Sequence, residues 1–316
     1  MADISVEYLG LKLTSPVIAA PAGTTGSADL MQIAEESGIG AVVMRTLYAP
    51  GTDEATRQPH YELIRRNTGS MRSTTLYSSE HAALSDPQRY AEELRKCKQK
   101  CNIPIIASIG CLETDQWVEY AGIVEQAGAD ALEIHSHCPL GECVRGLTQV
   151  EEMAEIVSRV AVSVKIPVVV KMSPQLENPA EAAMAFEAAG ARALVMFDRF
   201  MGLEIDIDQE QPVGGSGYAW HGGPWSIFYA LRWISEASTR VQIPIAGCGG
   251  VGIWQDIVKY VLAGACVVQS ASAIMTQGYH IVKDLNQGLA EWMDLKGYES
   301  LEDFRGKVSL GQTRVC

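Results

Sequence analysis

The chain has 316 residues, of which 47% are hydrophobic and 20% are charged, and it carries a formal net charge of −13 at pH 7. This composition is typical of a globular protein, and the length is sufficient for one large hydrophobic core or two smaller ones. The acidic excess argues against nucleic acid or an anionic membrane as the main partner. No apolar stretch approaches the ~20 residues that a transmembrane helix needs.

The N-terminal sequence and the cysteines indicate a cytoplasmic protein. The first ten residues, MADISVEYLG, lack the basic and apolar regions of a signal peptide. Eight cysteines lie at positions 97, 101, 111, 138, 143, 248, 266 and 316, without a Cys-x-x-Cys pair. A domain of this size does not need a disulfide framework, and we therefore expect reduced thiols in a cytoplasm.

Short apolar runs alternate with amphipathic segments along the chain. We predict a β-hairpin over 4–16 and then eight strands of the kind that parallel sheets bury on both faces. The predicted strands are 15–23, 40–46, 103–110, 129–136, 166–173, 191–197, 243–250 and 265–272. The predicted helices are 28–38, 86–100, 114–128, 150–164, 178–190, 224–238, 253–264 and 281–293. Glycines suited to the C′ position end four of the helices, at Gly38, Gly128, Gly190 and Gly264.

This alternation predicts an α/β fold, a (β/α)8 TIM barrel with an N-terminal β-hairpin at the bottom of the barrel. We expect one domain over 1–316, because no domain boundary is visible and nothing repeats beyond the βα alternation. The connections over about 47–85 and 198–222 are much longer than the others. Since active sites of such barrels lie among the loops that follow the strands, both connections are expected to be lids or pocket walls.

Two loops rich in small residues follow the last two predicted strands, GCGGV at 247–251 and QSASA at 269–273. Small residues let backbone N–H groups approach a phosphate closely, and these two loops form the phosphate site of many TIM barrels. A tight turn is the alternative interpretation of the paired glycines. Together the two loops favour a ligand that carries a phosphate.

Lys171 ends the fifth predicted strand, PVVVK, where its charge is partly removed from water. A lysine in this position can form a Schiff base with a carbonyl substrate. It can also hold an anionic atom of a cofactor such as a reduced flavin, or simply pair with a nearby carboxylate.

The segment EIHSHCPL at 133–140 places His135, His137 and Cys138 within four positions. We predict no metal site, because no further His or Cys cluster with the spacing of a structural site lies nearby. Pro139 breaks the strand and projects the Cys138 thiol into the following loop. A cysteine beside two imidazoles can have a shifted thiol pKa, which suits a proton donor, a base or a nucleophile.

These motifs resemble the FMN-dependent barrels of the dihydroorotate dehydrogenase and dihydropyrimidine dehydrogenase group. The resemblance runs from VEYLGLKLTSPVIAAPAGTT to KGYESLEDFRGKVS, essentially the whole chain, and includes VVVKMSP, IPIAGCGGV and LAGACVVQSASAI. It implies FMN as the cofactor, a small-molecule substrate and a homodimer. Because no Cys-rich iron–sulfur segment lies in the chain, electrons that pass through such a cluster would need a separate electron-transfer protein.

The resemblance also implies roles for individual residues. The family's strand-four motif, Asn-Leu-Ser-Cys-Pro-Asn, is matched by residues 135–140, which places the family's proton-transferring cysteine at Cys138. Lys171 corresponds to the lysine beside N1 and O2 of the flavin. The other implied cofactor contacts are Ala20, Pro21 and Ala22 beneath the ring, Arg45, Thr46 and Gly223 near it, and the phosphate-binding positions Gly249, Gly250, Ala271 and Ser272.

The chain departs from the family where the family binds its substrate. His135 and Leu140 replace two asparagines of the strand-four motif, Arg72 replaces an asparagine after strand two, and Asp198-Arg199 replaces Asn-Thr after strand six. A site built around such amides rejects, by about 10⁴-fold, a ligand that leaves its buried amide groups unpaired. Conversely, a site without these amides should hold a plain pyrimidine poorly. We therefore expect that a plain pyrimidine is not the preferred substrate. The residues predicted to contact the substrate are Arg72, His135, His137, Asp198, Arg199 and His221.

In this hypothesis Arg72 and Arg199 bind a carboxylate through paired hydrogen bonds. Arg199 can alternatively pair with Asp198 and never meet the substrate. Tyr218, Trp220 and Trp225 can form aromatic walls, although Trp225 is equally suited to helix packing.

We therefore predict an FMN-dependent oxidoreductase that adds or removes hydrogen across a carbon–carbon bond next to a carbonyl. The hydride passes through flavin N5 and the proton through Cys138, and the substrate is expected to be a cyclic or aromatic carboxylate. Dihydroorotate or dihydropyrimidine dehydrogenase proper is one alternative. A Schiff-base lyase or aldolase using Lys171, and a non-catalytic flavin-binding relative, are two others.

Overall fold

The computed structural model describes residues 2–49, 60–68, 71–79, 86–135, 148–212 and 219–309, with the backbone alone for 60–68, 71–79 and 219. Eight parallel strands form a barrel at the centre of this part of the chain. They are β1 (Val17–Ala19), β2 (Ala41–Val43), β3 (Ile105–Gly110), β4 (Ala131–His135), β5 (Val168–Met172), β6 (Ala193–Met196), β7 (Ile245–Cys248) and β8 (Val267–Ser270).

The strands pair in the order β2-β1-β8-β7-β6-β5-β4-β3, and β3 pairs again with β2 through Val42 opposite Ile105. The sheet is therefore closed, and the predicted (β/α)8 barrel is confirmed. Every residue of β4 and β5 is buried, including Glu133 and Lys171. Because a buried charge needs a partner, the strands' polar residues must be paired within the barrel.

Helices surround the barrel strands. They are α1 (Ala28–Glu36), α2 (Pro87–Lys100), α3 (Thr114–Gln126), α4 (Gln149–Ser163), α5 (Pro179–Ala188), α6 (Ile227–Ala237), α7 (Trp254–Ala263), α8 (Ser272–Gln277) and α9 (Ile281–Lys296). The four glycines predicted at helix ends all have positive φ, from 82° at Gly38 to 117° at Gly264. No helix in the described ranges is long and apolar enough to cross a membrane.

The N-terminal hairpin is also confirmed. Residues Val6–Tyr8 pair with Leu11–Leu13 in antiparallel fashion, and Tyr8 and Leu13 are buried. Val6 lines a cleft with Pro167 and Ile243, which lie just before the N-terminal ends of β5 and β7. The hairpin therefore lies at the end of the barrel opposite to the carboxyl ends of the strands.

The two long connections meet in a four-stranded antiparallel sheet, which we call the cover sheet. Its strands, in spatial order, are Phe200–Gly202, Ala219–Gly222, Met71–Ser79 and His60–Thr68. Gly222 lies opposite Leu76, and His221 lies opposite both Tyr77 and Phe200. These strands were not predicted from the sequence, which indicated loops in both connections.

Candidate functional site

A cavity of about 290 Å³ opens at the carboxyl ends of the barrel strands. Strands β1, β2, β4, β5 and β6, with the residues just after them, contribute Ala20, Pro21, Arg45, Thr46, Tyr48, His135, Lys171, Phe197, Asp198 and Arg199 to its lining. Strands β7 and β8, with the residues just after them, contribute Cys248, Gly249, Gly250, Gln269, Ser270, Ala271 and Ser272. In a TIM barrel this end carries the active site, so the cavity is the candidate functional site.

Three buried polar side chains from three strands form a network below the cavity. Lys171 Nζ donates a hydrogen bond of 2.7 Å to Gln269 Oε1, and Gln269 Nε2 donates one of 2.7 Å to Glu133 Oε2. The second carboxylate oxygen, Glu133 Oε1, lies 3.5 Å from Lys171 Nζ. Glu133 is fully buried, and Lys171 and Gln269 are almost fully buried. The network gives the lysine a counter-charge and one defined position.

This pairing holds Lys171 as an ammonium group. Burial lowers the pKa of Lys171, but attraction to the Glu133 carboxylate, with further contributions from Cys248 and Asp198, raises that pKa by more, so that it lies above its ordinary value. A Schiff base needs a neutral amine, whereas this site stabilises the charged form. The structure therefore favours a lysine that pairs with a carboxylate or holds an anionic atom of a cofactor. It does not favour a lysine that forms a Schiff base with the substrate.

A second polar cluster lies at the cavity wall around His135. Its Nε2 lies 2.5 Å from Asp198 Oδ2, and its Nδ1 lies 3.0 Å from the Tyr48 hydroxyl and 3.4 Å from Thr46 Oγ1. Burial opposes ionisation of Asp198, but His135, Lys171 and Arg199 outweigh it and hold the pKa of that carboxyl well below its ordinary value. Asp198 is thus an ionised acceptor committed to His135.

The loop after β7 approaches the chain before α6 very closely. Gly249 and Gly250 have φ values of +107° and +71°, and both glycines line the cavity. A Cβ on Gly250 would lie 2.9 Å from the Ile227 backbone nitrogen and 3.0 Å from the Pro224 carbonyl oxygen. No side chain fits at Gly250, and paired glycines in a loop at the carboxyl end of a barrel strand suit the binding of a phosphate by backbone groups.

Most of the predicted site residues come together in this cavity. The lining contains Ala20, Pro21, Arg45, Thr46, His135, Lys171, Asp198, Arg199, Gly223, Gly249, Gly250, Ala271 and Ser272, and also Trp220. Ala22 is buried directly after this lining segment. His137, Cys138 and Tyr218 lie outside the described residues, so their predicted roles stay predictions.

Three further predicted residues lie outside the lining of the cavity or are described by their backbone alone. The His221 imidazole packs on Gly202 of the cover sheet, whose Cβ position lies 2.7 Å from the ring, and the neighbouring Trp220 and Gly222 line the cavity. Arg72 lies opposite Asn67 in the paired strands 60–68 and 71–79, where the backbone alone is described. Trp225 packs against Phe200 with ring centroids 5.3 Å apart, which supports a packing role.

Glu133, Gln269 and Tyr48 are site residues that were not predicted from the sequence. A signal was present for Glu133, because a carboxylate in the apolar run ADALEIHS is unusual for a strand buried on both faces. Its position two residues before His135 also puts both side chains on the same face of β4. Tyr48 and Gln269 have no such local signal, since their importance comes from partners far away in the sequence.

Comparisons with known proteins identify the family. The model of the family "Dihydroorotate dehydrogenase" matches residues 3–293. The NAD(+)-dependent dihydroorotate dehydrogenase B catalytic subunit of Methanosarcina mazei is 30% identical, over 94% of this chain and 92% of that protein. The PreA subunit of the NAD-dependent dihydropyrimidine dehydrogenase of Escherichia coli K12 is 27% identical, over 96% of this chain and 76% of that protein.

The cavity fits the cofactor that this family implies. FMN carries a phosphate and an electron-accepting ring. The cavity offers a loop in which Gly249 and Gly250 leave no room for a Cβ, and a buried ammonium group on Lys171. These two features come from different strands and face the same space. The chain belongs to the dihydroorotate dehydrogenase family and is an FMN-dependent oxidoreductase acting on CH–CH bonds.

Proposed function

We propose that the substrate is a small cyclic or aromatic carboxylate with a carbon–carbon bond next to a carbonyl, rather than a plain pyrimidine. The His135–Asp198 pair beside Arg199 carries this proposal. A cyclic diamide requires partners that both donate and accept hydrogen bonds, whereas Asp198 is an acceptor already committed to His135. Where the family has amides, this chain offers a hydrogen-bonded histidine–carboxylate pair and a guanidinium group.

The charge of the cavity supports the same proposal. Its described lining contains the cationic side chains of Arg45, Lys171 and Arg199, and the carboxylates of Asp198 in the lining and of Glu133 beside Lys171 balance two of these three charges. This is a local positive excess in a chain whose net charge is −13. Such an excess attracts anions, and a guanidinium group binds a carboxylate through two parallel hydrogen bonds. Arg199 is the proposed carboxylate contact within the described lining.

The same cavity residues would hold FMN. In this proposal the backbone of Gly249, Gly250, Ala271 and Ser272 would hold the phosphate, and Ala20 to Ala22 would contact the ring. Lys171 would also contact the ring, where its positive charge would stabilise added negative charge. When bound, FMN supplies the hydride exchange at N5. The chain's own residues bind and orient the substrate and move the proton.

We propose Cys138 as the residue that moves a proton at the substrate carbon next to the one that exchanges hydride. Cys138 lies outside the described residues, so this role depends on the matching strand-four motif. Cys248, a thiol at the described cavity wall, is poorly suited, because burial raises the pKa of its thiol although Lys171 works in the opposite direction.

Replacing Cys138 with alanine should leave FMN bound and slow the substrate-linked half-reaction by about 10²- to 10⁴-fold, the usual contribution of a positioned proton donor. Stopped-flow absorbance at the flavin band measures this rate. Cys111→Ala is the matched control, since that thiol is buried outside the described lining of the cavity. Equal rates in the wild type and Cys138→Ala would remove the assignment.

The experiment that tests the substrate proposal is anaerobic reoxidation of the dithionite-reduced holoenzyme. The acceptors are 3-oxocyclohex-1-ene-1-carboxylate, the neutral 2-cyclohexenone, orotate and uracil. We expect the cyclic enone carboxylate to restore flavin absorbance fastest, and Arg199→Met to remove its advantage over the neutral enone. Faster reoxidation by orotate or uracil would contradict the proposal and favour a pyrimidine dehydrogenase.

We further propose a homodimer that exchanges electrons with a separate electron-transfer protein. Both relatives above are named as subunits of NAD-dependent enzymes, which supports a divided assembly. The eight cysteines of this chain show no cluster-binding spacing. Light scattering of the purified holoenzyme measures its molar mass, which for a homodimer is twice that of one chain.

A further inference from the structure

Tyr48, His135 and Asp198 form a hydrogen-bonded chain along the cavity wall. The Tyr48 hydroxyl lies 3.0 Å from His135 Nδ1, and His135 Nε2 lies 2.5 Å from Asp198 Oδ2. All three residues line the cavity. Because a carboxylate only accepts hydrogen bonds, Nε2 carries a hydrogen, and Nδ1 is the nitrogen that faces the tyrosine hydroxyl. The arrangement resembles the nucleophile–base–orienter geometry of hydrolytic triads, with a phenol in place of the nucleophile.

The position of the tyrosine ring is fixed by a second, independent feature. Tyr48 lies in a short strand, Leu47–Tyr48, that pairs with the end of β3, where Tyr48 is opposite Gly110. A Cβ on Gly110 would lie 2.7 Å from the Tyr48 ring. Because residue 110 is a glycine, there is room for the Tyr48 ring at this position. On its other side the ring is tilted against His135, with centroids 5.7 Å apart.

We propose that Tyr48, supported by His135 and Asp198, exchanges a proton with the carbonyl oxygen of the substrate. The inference rests on the proposed function, in which hydride transfer next to a carbonyl produces an enolate. In the reducing direction hydride adds to the far carbon of the carbon–carbon double bond, the π pair of that bond forms a new double bond to the carbonyl carbon, and the π pair of the carbonyl moves to its oxygen. The Tyr48 O–H bond breaks as its proton joins that oxygen and gives the enol. When the neighbouring carbon takes its proton from Cys138, the enol O–H bond breaks, the carbonyl forms again and the proton returns to the Tyr48 oxygen, so that the net addition is one hydride and one proton.

This assignment divides the two proton transfers between two groups. Cys138 serves the substrate carbon, and Tyr48 serves the oxygen on which negative charge develops. In the family, amide groups hold the carbonyls of a cyclic diamide, and here His135 and Asp198 stand in their place. A group that donates a proton to the carbonyl oxygen is most useful in such a site. Tyr48 and Asp198 are thus assigned together, the former as a catalytic residue and the latter as a positioning residue.

Binding of an enolate mimic tests the inference without turnover. The probe is 4-nitrophenolate, titrated at pH 8 into oxidised, FMN-loaded enzyme and followed by its difference spectrum. We expect Tyr48→Phe to weaken binding about 10- to 100-fold, the effect of losing one hydrogen bond to a charged oxygen. Asp198→Asn should weaken it less. Equal dissociation constants for Tyr48→Phe and the wild type, or no binding by the wild type, overturn the inference.

The matched control is Tyr229→Phe. It removes a hydroxyl that donates to the Pro174 carbonyl oxygen and is not part of the described lining. Its phenolate affinity should equal that of the wild type. A loss as large as that of Tyr48→Phe would assign the effect to packing and overturn the inference.

Reoxidation kinetics separate this inference from the proposed function. We expect Tyr48→Phe to slow reoxidation of the reduced enzyme by 2-cyclohexenone about 10²- to 10⁴-fold and to leave reoxidation by ferricyanide unchanged, since ferricyanide accepts no proton. If orotate is the best acceptor of the wild type, the proposed function fails, and the phenolate titration still decides the role of Tyr48. If the enones react well and equally with Tyr48→Phe, the proposed function stands and the role of Tyr48 is lost.

Discussion

Replacing Glu133 with alanine should lower the free energy of unfolding by about 3–5 kcal/mol, the cost of leaving one member of a buried ion pair without its partner. The remaining charge is Lys171, which is 2% exposed. Gln269 also loses the acceptor of its Nε2 hydrogen bond. Urea unfolding followed by circular dichroism measures the change.

The matched control is Glu302→Ala. Glu302 also pairs with a basic residue, Arg305, but its side chain is 57% exposed. A surface ion pair of this kind contributes less than about 1 kcal/mol. If the two alanine variants lose similar stability, the network in the barrel does not have the energetic role assigned to it.

Glu133→Gln adds a pH signature, because it keeps the shape of the side chain and removes its charge. In the wild type the pKa of Lys171 is raised, so its contribution to stability is constant below the ordinary lysine pKa of about 10.4. In the variant burial dominates and lowers that pKa, so the folded state binds fewer protons than the unfolded chain. Stability of the variant should then rise with pH between the lowered pKa and about 10.4. A flat profile from pH 7 to 9.5 in both proteins would contradict this.

Replacing Gly250 with alanine should weaken FMN binding about 10- to 100-fold. Alanine at a φ of +71° is strained, and its Cβ would meet Ile227 and Pro224 at 2.9–3.0 Å. Strain of about 1–3 kcal/mol must be relieved by moving the loop away from the position that the phosphate requires. Fluorescence titration of the apoprotein with FMN measures the affinity.

Gly122→Ala provides the comparison for this loop. Gly122 lies in α3, and no atom lies within 4 Å of the position of its added Cβ. This variant should bind FMN as the wild type does and gain a little stability, because alanine favours the helix. FMN affinity within twofold of the wild type in Gly250→Ala would show that the close approach of the loop is not needed.

The barrel could be predicted from the sequence because its signals are local. Apolar runs define the strands, and glycines with positive φ end the helices. The cover sheet could not be predicted in this way, since its pairing joins Gly222 to Leu76 across the whole middle of the chain. The short helix α8 was also missed, because the six residues SAIMTQ are too few to show a helical period.

The candidate site shows the same limit. Lys171 and the two glycines could be found from their positions at strand ends. The partner of His135 could not, because Asp198 is 63 residues away and meets it only when β4 and β6 close into one barrel. Glu133 was recognisable as a charged residue in an apolar strand, but its link to Gln269 spans 136 residues. Sequence patterns located these side chains, and the closed barrel determined their pairing.

The cover sheet has a mechanical consequence. Residues 76–78 and 220–222 belong to connections that follow different barrel strands, yet they are joined by backbone hydrogen bonds. Trp220 and Gly222 form part of the cavity wall, so any displacement that widens the entrance on this side also pulls on the 71–79 strand. The two segments therefore form one continuous wall, to which two connections of the chain both contribute.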